Sequence, residues 1–212
     1  MNTNFLNSLT NFIKKRTFEL MGLLLILSSV ALAISFITYS PEDPSFIYGD
    51  TNIEIKNLLG IYGSSVADFM LQSFGLTSFL LLANFIFWGI NLLKNKEIKK
   101  IILKLFLVVL YLIFGSVYIY MTFNNSFWLI DNGNSGFVGE VSYNIINNFA
   151  PWINNEIFIL ALFFFTLLFF IISSELNVKN LVLAIPKFLI NFFKNKKLDL
   201  EKNYSEKNNI EI

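Results

Sequence analysis

The 212 residues contain no cysteine and no histidine. That removes disulfides, thiol nucleophiles, imidazole acid–base chemistry and the usual zinc ligand sets. Net charge is only +1, so no global field draws in nucleic acid. Glycine is limited to ten residues, and none falls in a G-x-x-x-x-G-K-[ST] loop, so the chain carries no Walker A motif. Proline is limited to four, and two of these, Pro41 and Pro44, stand in one short turn. What is abundant is apolar: 55% of the chain, including 25 phenylalanines. Several apolar runs reach the ~20 residues that a helix needs to cross a bilayer. An all-α, polytopic membrane protein is therefore expected, with four spans at about 18–38, 66–93, 101–121 and 157–173.

The bases fix an expected topology. Lys14, Lys15 and Arg16 precede the first span, and Lys94, Lys96, Lys99, Lys100 and Lys104 gather at the middle loop, the last of them at the start of the third span. Seven more lysines follow the fourth span, and only Lys56 lies on the opposite side. The positive-inside rule then puts residues 1–17 and the C-terminus in the cytoplasm. The first run follows a basic start and contains Ala31-Leu32-Ala33, as a signal peptide would. It continues through Ile37, which favours a retained anchor. Residues 176–197 read as a basic amphipathic helix on the anionic leaflet, and 198–212 as a disordered tail or the start of a linker.

The second apolar stretch, Asn57 to Leu93, has a further pattern. Ser64, Ala67, Leu71, Gly75, Ser78 and Leu82 recur every three or four residues, so they are expected on one helix face. Small residues there let another helix approach closely, which marks Ser64, Ala67, Gly75 and Ser78 as a helix-packing or oligomer face. Asp68 reads as the one ionisable residue inside a span. An intramembrane carboxylate is a candidate for ion or proton passage, although a place near the outer end would let it reach water. No second polar group in the spans is expected to complete a relay, and no catalytic constellation is seen. Trp88 and the tyrosines at 111, 118 and 120 read as interfacial aromatics.

Two segments join the spans on the outer side. Tyr39-Ser40-Pro41-Glu42-Asp43-Pro44-Ser45 reads as an exit turn, because proline cannot continue a helix. Asp131 to Gly139 has glycine at every third position but matches neither nucleotide fingerprint. Val138, Val141, Ile145 and Phe149 after it form the apolar face of a short helix, on the membrane interface or on the bundle.

In order and spacing, these pieces resemble the N-terminal four-span membrane domain of the FtsK/SpoIIIE family of bacterial DNA translocases. The resemblance rests on Glu19 to Leu23, the Tyr39–Ser45 turn, Asn57-Leu58-Leu59-Gly60-Ile61-Tyr62-Gly63, Ala67-Asp68, Phe74-Gly75-Leu76 and Ser135-Gly136-Phe137-Val138-Gly139. It spans about residues 16–175 and singles out Pro41, Asp43, Pro44, Gly60, Gly63, Gly136 and Gly139 as family-like loop positions. Ser135 stands where the family more usually has glycine.

The resemblance implies a membrane anchor and assembly module of a division-site translocase in the bacterial inner membrane, at the septum. Its implied partners are the lipid bilayer, further copies of itself up to a hexamer, and divisome membrane proteins. DNA would be reached only through a motor domain, and ATP and Mg would enter only there. No cofactor, metal or enzymatic activity is expected in these residues. Three origins fit: the anchor part of a longer protein, a truncated product, or a stand-alone relative. Two competing readings are a small transporter or channel subunit using Asp68, and a membrane scaffold unrelated to division.

Overall fold

A computed structural model describes residues 3–46, 54–95, 97–98, 100–126 and 128–176. The expected basic helix at 176–197 and the tail at 198–212 lie, from residue 177 onward, outside the described residues. Among those described there is no strand. Six α-helices follow one another: α1 (Thr3–Ile37), α2 (Gly60–Phe74), α3 (Ser78–Asn95), α4 (Ile101–Phe123), α5 (Gly136–Phe149) and α6 (Glu156–Ser174). Four stretches are long and apolar enough to cross a membrane: Asn7–Ile37, Gly60–Lys94, Ile101–Phe123 and Glu156–Ser174.

The helices pair antiparallel. In α1 and α3 the backbones meet at Gly22 and Gly89, where a Cβ on either would lie within 2.8 Å of the other's carbonyl oxygen. Further along the pair, Ser29 Oγ donates to the Leu82 carbonyl at 2.8 Å. The rings of Phe36 and Phe79 then meet edge-on. In α4 and α6 the contacts run from Tyr111–Phe170 through Phe114–Phe169 to Tyr118–Phe163. Outward-facing Phe164, Leu160 and Ile157 of α6 are 61–75% exposed, as lipid-facing side chains are. Asn155 caps α6, its Oδ1 accepting from the Ile157 amide at 3.0 Å.

α1 begins at Thr3, ahead of the expected span at about 18–38, since residues 3–17 hold neither glycine nor proline to interrupt it. Three expectations change. The expected span at 66–93 is not one continuous helix. Gly75 takes φ 58°, ψ −142°, a 3₁₀ turn covers Gly75–Thr77, and α3 alone continues to Asn95. Trp88 is buried rather than interfacial, with Nε1 donating to the Ser173 carbonyl at 2.7 Å. Tyr111 is fully buried in the core instead of joining an aromatic belt.

Candidate functional site

The family-like loop positions converge at one end of the bundle, here called the loop end. Asp43 organises the turn after α1. Its two carboxylate oxygens accept the amides of Lys56 (2.9 Å) and Asn57 (2.8 Å). The Asn57 amide nitrogen donates to the Ser35 carbonyl at 2.9 Å, and its oxygen accepts from the Leu59 amide at 3.1 Å. Ser64 Oγ donates to the Pro44 carbonyl at 2.5 Å, and Ser35 Oγ to the Gly63 carbonyl at 2.6 Å. The Pro41–Pro44 turn is thus a staple between the end of α1 and the start of α2, more than an exit. Gly63 packs on Asn57, whereas a Cβ at Gly60 would meet nothing within 4 Å. Glu42 and Lys56 pair on the surface. Lys56 holds the Glu42 carboxyl below its ordinary range, and Glu42 raises Lys56 in return.

The second convergence is at the helix break. A Cβ on Gly75 would sit 1.9 Å from the Asn134 carbonyl oxygen, and one on Gly136 would sit 2.6 Å from the Gly75 nitrogen and from the Ser73 carbonyl oxygen. The Leu76 amide donates to the Asn134 carbonyl at 2.9 Å. The loop is held in turn by Asn124, whose side chain accepts from the Ser135 amide at 3.0 Å and whose carbonyl accepts from the Asn134 amide, also at 3.0 Å. Gly139 then lets α5 lie against α4 at the Ser116 carbonyl. Only Gly136 and Gly139 of α5 are buried, while Ile145 and Phe149 of the expected apolar face are largely exposed. The glycine spacing here serves backbone packing between α2, α4 and α5.

The expected packing residues Ser64, Ala67, Gly75 and Ser78 are all buried within the chain, as are Leu71 and Leu82. Because Gly75 breaks the helix, they form two faces on two helices rather than one stripe. Ser78 turns its hydroxyl back to the Met70 carbonyl at 2.8 Å, across that break.

Asp68 lies at the loop end. Tyr39 Oη donates to its carboxylate at 3.1 Å, Gln72 Nε2 donates to Tyr39 Oη at 2.9 Å, and Asn132 Nδ2 donates to Gln72 Oε1 at 2.7 Å. Burial, and after it the Asp68 charge, hold the Tyr39 hydroxyl far above the ordinary phenol range, against the Gln72 hydrogen bond. Tyr39 therefore stays a neutral donor that ties α1, α2 and the 124–135 loop together. A cavity of about 630 Å³ opens beside this network, lined by Asp43, Asp68, Gln72, Asp131 and Asn132 among others. Among the described residues no group of three or more acidic side chains has the geometry to hold a metal ion.

Comparison with known proteins now decides the family. The model of the 4TM region of DNA translocase FtsK/SpoIIIE matches residues 14–185. The chain belongs to that family. A DNA translocase FtsK from Rickettsia typhi is 31% identical over 163 residues, which is 76% of this chain and 21% of the relative. One from Rickettsia bellii is 29% identical over 195 residues, 88% of this chain and 24% of the relative. One from Rhizobium meliloti is 31% identical over 134 residues, 63% of this chain and 15% of the relative. The chain thus spans under a quarter of the length of these relatives. No solved structure matches.

The FtsK 4TM bundle also holds a polar cluster that the sequence reading missed, at the opposite, basic end. Lys104 of α4 is 5% exposed and forms an ion pair with Glu175, the left-handed residue that ends α6. Asn91 of α3 donates to the other Glu175 oxygen at 2.8 Å. One turn or more deeper, Asn84 Nδ2 donates to Tyr111 Oη (3.1 Å) and to Ser173 Oγ (3.0 Å). Asn84 Oδ1 is buried without a partner. Lys104 is therefore a structural ion-pair partner rather than one of the free surface lysines. The available signal was Asn84, Asn91 and Lys104 on otherwise apolar helices, with Ser173 and Glu175 in the polar run that ends α6.

Proposed function

We propose that this chain is the membrane-anchoring and assembly module of an FtsK-like DNA translocase, acting in cell division and chromosome segregation. The family match over residues 14–185 carries the reading. It gains support from the way the family-like positions Asp43, Gly75 and Gly136 are used, since each closes a junction between segments. In this reading the basic end faces the cytoplasm and the loop end faces outward, following the lysine distribution. The bundle sits in the inner membrane at the septum. It meets divisome membrane proteins and further copies of itself there, up to a hexamer. It positions a cytoplasmic motor, and ATP and DNA are handled by that motor and not by these residues.

The experiment is a fluorescent fusion to the 212-residue chain, expressed in dividing cells that also carry a labelled septal marker. Enrichment at midcell is expected. A uniform membrane signal would overturn the septal assignment and favour a scaffold unrelated to division. The competing transporter reading requires Asp68→Asn to abolish flux in reconstituted vesicles, whereas an anchor keeps its localisation with that substitution.

A further inference from the structure

α2 does not lie flush on α1. A groove of about 350 Å³ runs between them, with Ser28, Ala31, Leu32 and Ser35 of α1 on one side and Tyr62 and Val66 of α2 on the other. The step from Ser28 to Ser35 makes it about 10 Å long at 1.5 Å per residue. The Ser35 hydroxyl is committed to the Gly63 carbonyl and presents no free donor.

The depth of the groove decides what can fill it. Its α1 wall belongs to the spanning stretch Asn7–Ile37. Leu24, Leu27 and Val30 on the same stretch are 50–55% exposed, so α1 turns a broad apolar surface to hydrocarbon at this level. Tyr62 is 75% exposed, and its ring forms an open wall. The groove is continuous with the lipid-facing surface. Water there would find few polar partners. A helix from another chain is about 10–12 Å across with its side chains, and two turns of it displace roughly twice the groove's volume or more.

We infer that the groove seats an acyl chain of a membrane phospholipid, wedged between α1 and α2 under the Asp43–Asn57 staple. The inference rests on the membrane-spanning assignment and not on the septal role, so it stands or falls separately. A lipid held there would keep α2 at a fixed distance from α1 while leaving the small-residue contacts at Ser35 and Gly63 intact.

The test uses the full chain in phosphatidylethanolamine–phosphatidylglycerol vesicles with a trace of phospholipid nitroxide-labelled on its acyl chain. Electron paramagnetic resonance counts the motionally restricted lipids per protein. Ala31→Phe fills the groove and should remove about one restricted lipid, with helix content unchanged by circular dichroism. Tyr62→Ala opens the wall at an exposed position and should speed exchange of that lipid several-fold, which keeps the test decisive if Ala31→Phe does not fold. An unchanged restricted population and exchange rate in the folded variants would overturn the proposal. So would efficient disulfide dimerisation of Ala31→Cys, clean to read in a chain without cysteine, because it would place a second copy in the groove.

Discussion

The two ends of the bundle are held by different means. At the loop end, segments cap one another: Asp43 takes two backbone amides, Asn57 bridges to α1, and the 133–136 turn presses its backbone on Gly75. Of the charges there, Asp43 is buried and spends both oxygens on backbone amides, while Glu42 and Lys56 pair on the surface. At the basic end, single side chains from α3, α4 and the end of α6 meet around the buried Lys104 and the partly exposed Glu175. The backbone contact at Gly75 admits no added bulk, and the staple beside it depends on the Asp43 and Asn57 side chains. The ion pair tolerates neutral replacement of both members but not loss of Glu175 alone, because the buried Lys104 charge left behind is uncompensated.

That contrast can be broken most severely at Gly75. Gly75→Ala forces a residue with a Cβ into a backbone region almost reserved for glycine and onto the Asn134 carbonyl. The cost should be on the order of 4 kcal/mol, from strain and overpacking together. Denaturant titration of the purified chain in micelles measures it, and loss of folded protein is the expected extreme. Next comes the basic end. Glu175→Gln leaves the buried Lys104 ammonium without its counter-charge and should cost about 3 kcal/mol in the same titration. Adding Lys104→Met should recover most of that loss. A double variant as unstable as the single one would show that the pair is not the source.

Gly60→Ala sharpens the loop-end half. Gly60 has φ 65° but open space around it, so only the left-handed strain remains, about 1–2 kcal/mol. A cost equal to that of Gly75→Ala would mean that the close approach to Asn134 contributes nothing. Smallest is Asn84→Leu. It removes hydrogen bonds to Tyr111 and Ser173 but also an orphaned buried oxygen, and intramembrane hydrogen bonds average only about 0.6 kcal/mol. A change under about 1 kcal/mol is expected.

The difference between the ends also explains what was legible in the sequence. Pro41, Asp43 and Pro44 announce a turn because their chemistry is local, and the glycines near 133–139 announce a special backbone for the same reason. The partner of that backbone, Gly75, sits far away in the chain. Its helical spacing with Ala67, Leu71 and Ser78 hid the break, since a period of 3.6 cannot report that a glycine has left the helix. The basic-end cluster was less visible still. Asn84 and Asn91 stand alone in apolar runs, Ser173 sits at the polar end of one, and Lys104 follows four other bases, so it looked like one more surface charge. Only the packing of α4 against α6 brings it to Glu175.

The most direct test of the anchor account replaces the membrane region of a related DNA translocase FtsK with residues 1–185 of this chain and follows division in cells that depend on the hybrid. The account predicts septal enrichment and normal division with the unaltered segment, and dispersed protein with filamentous cells when Gly75→Ala is introduced. A hybrid that inserts in the membrane, accumulates normally and still fails to reach the septum with the unaltered segment would contradict it.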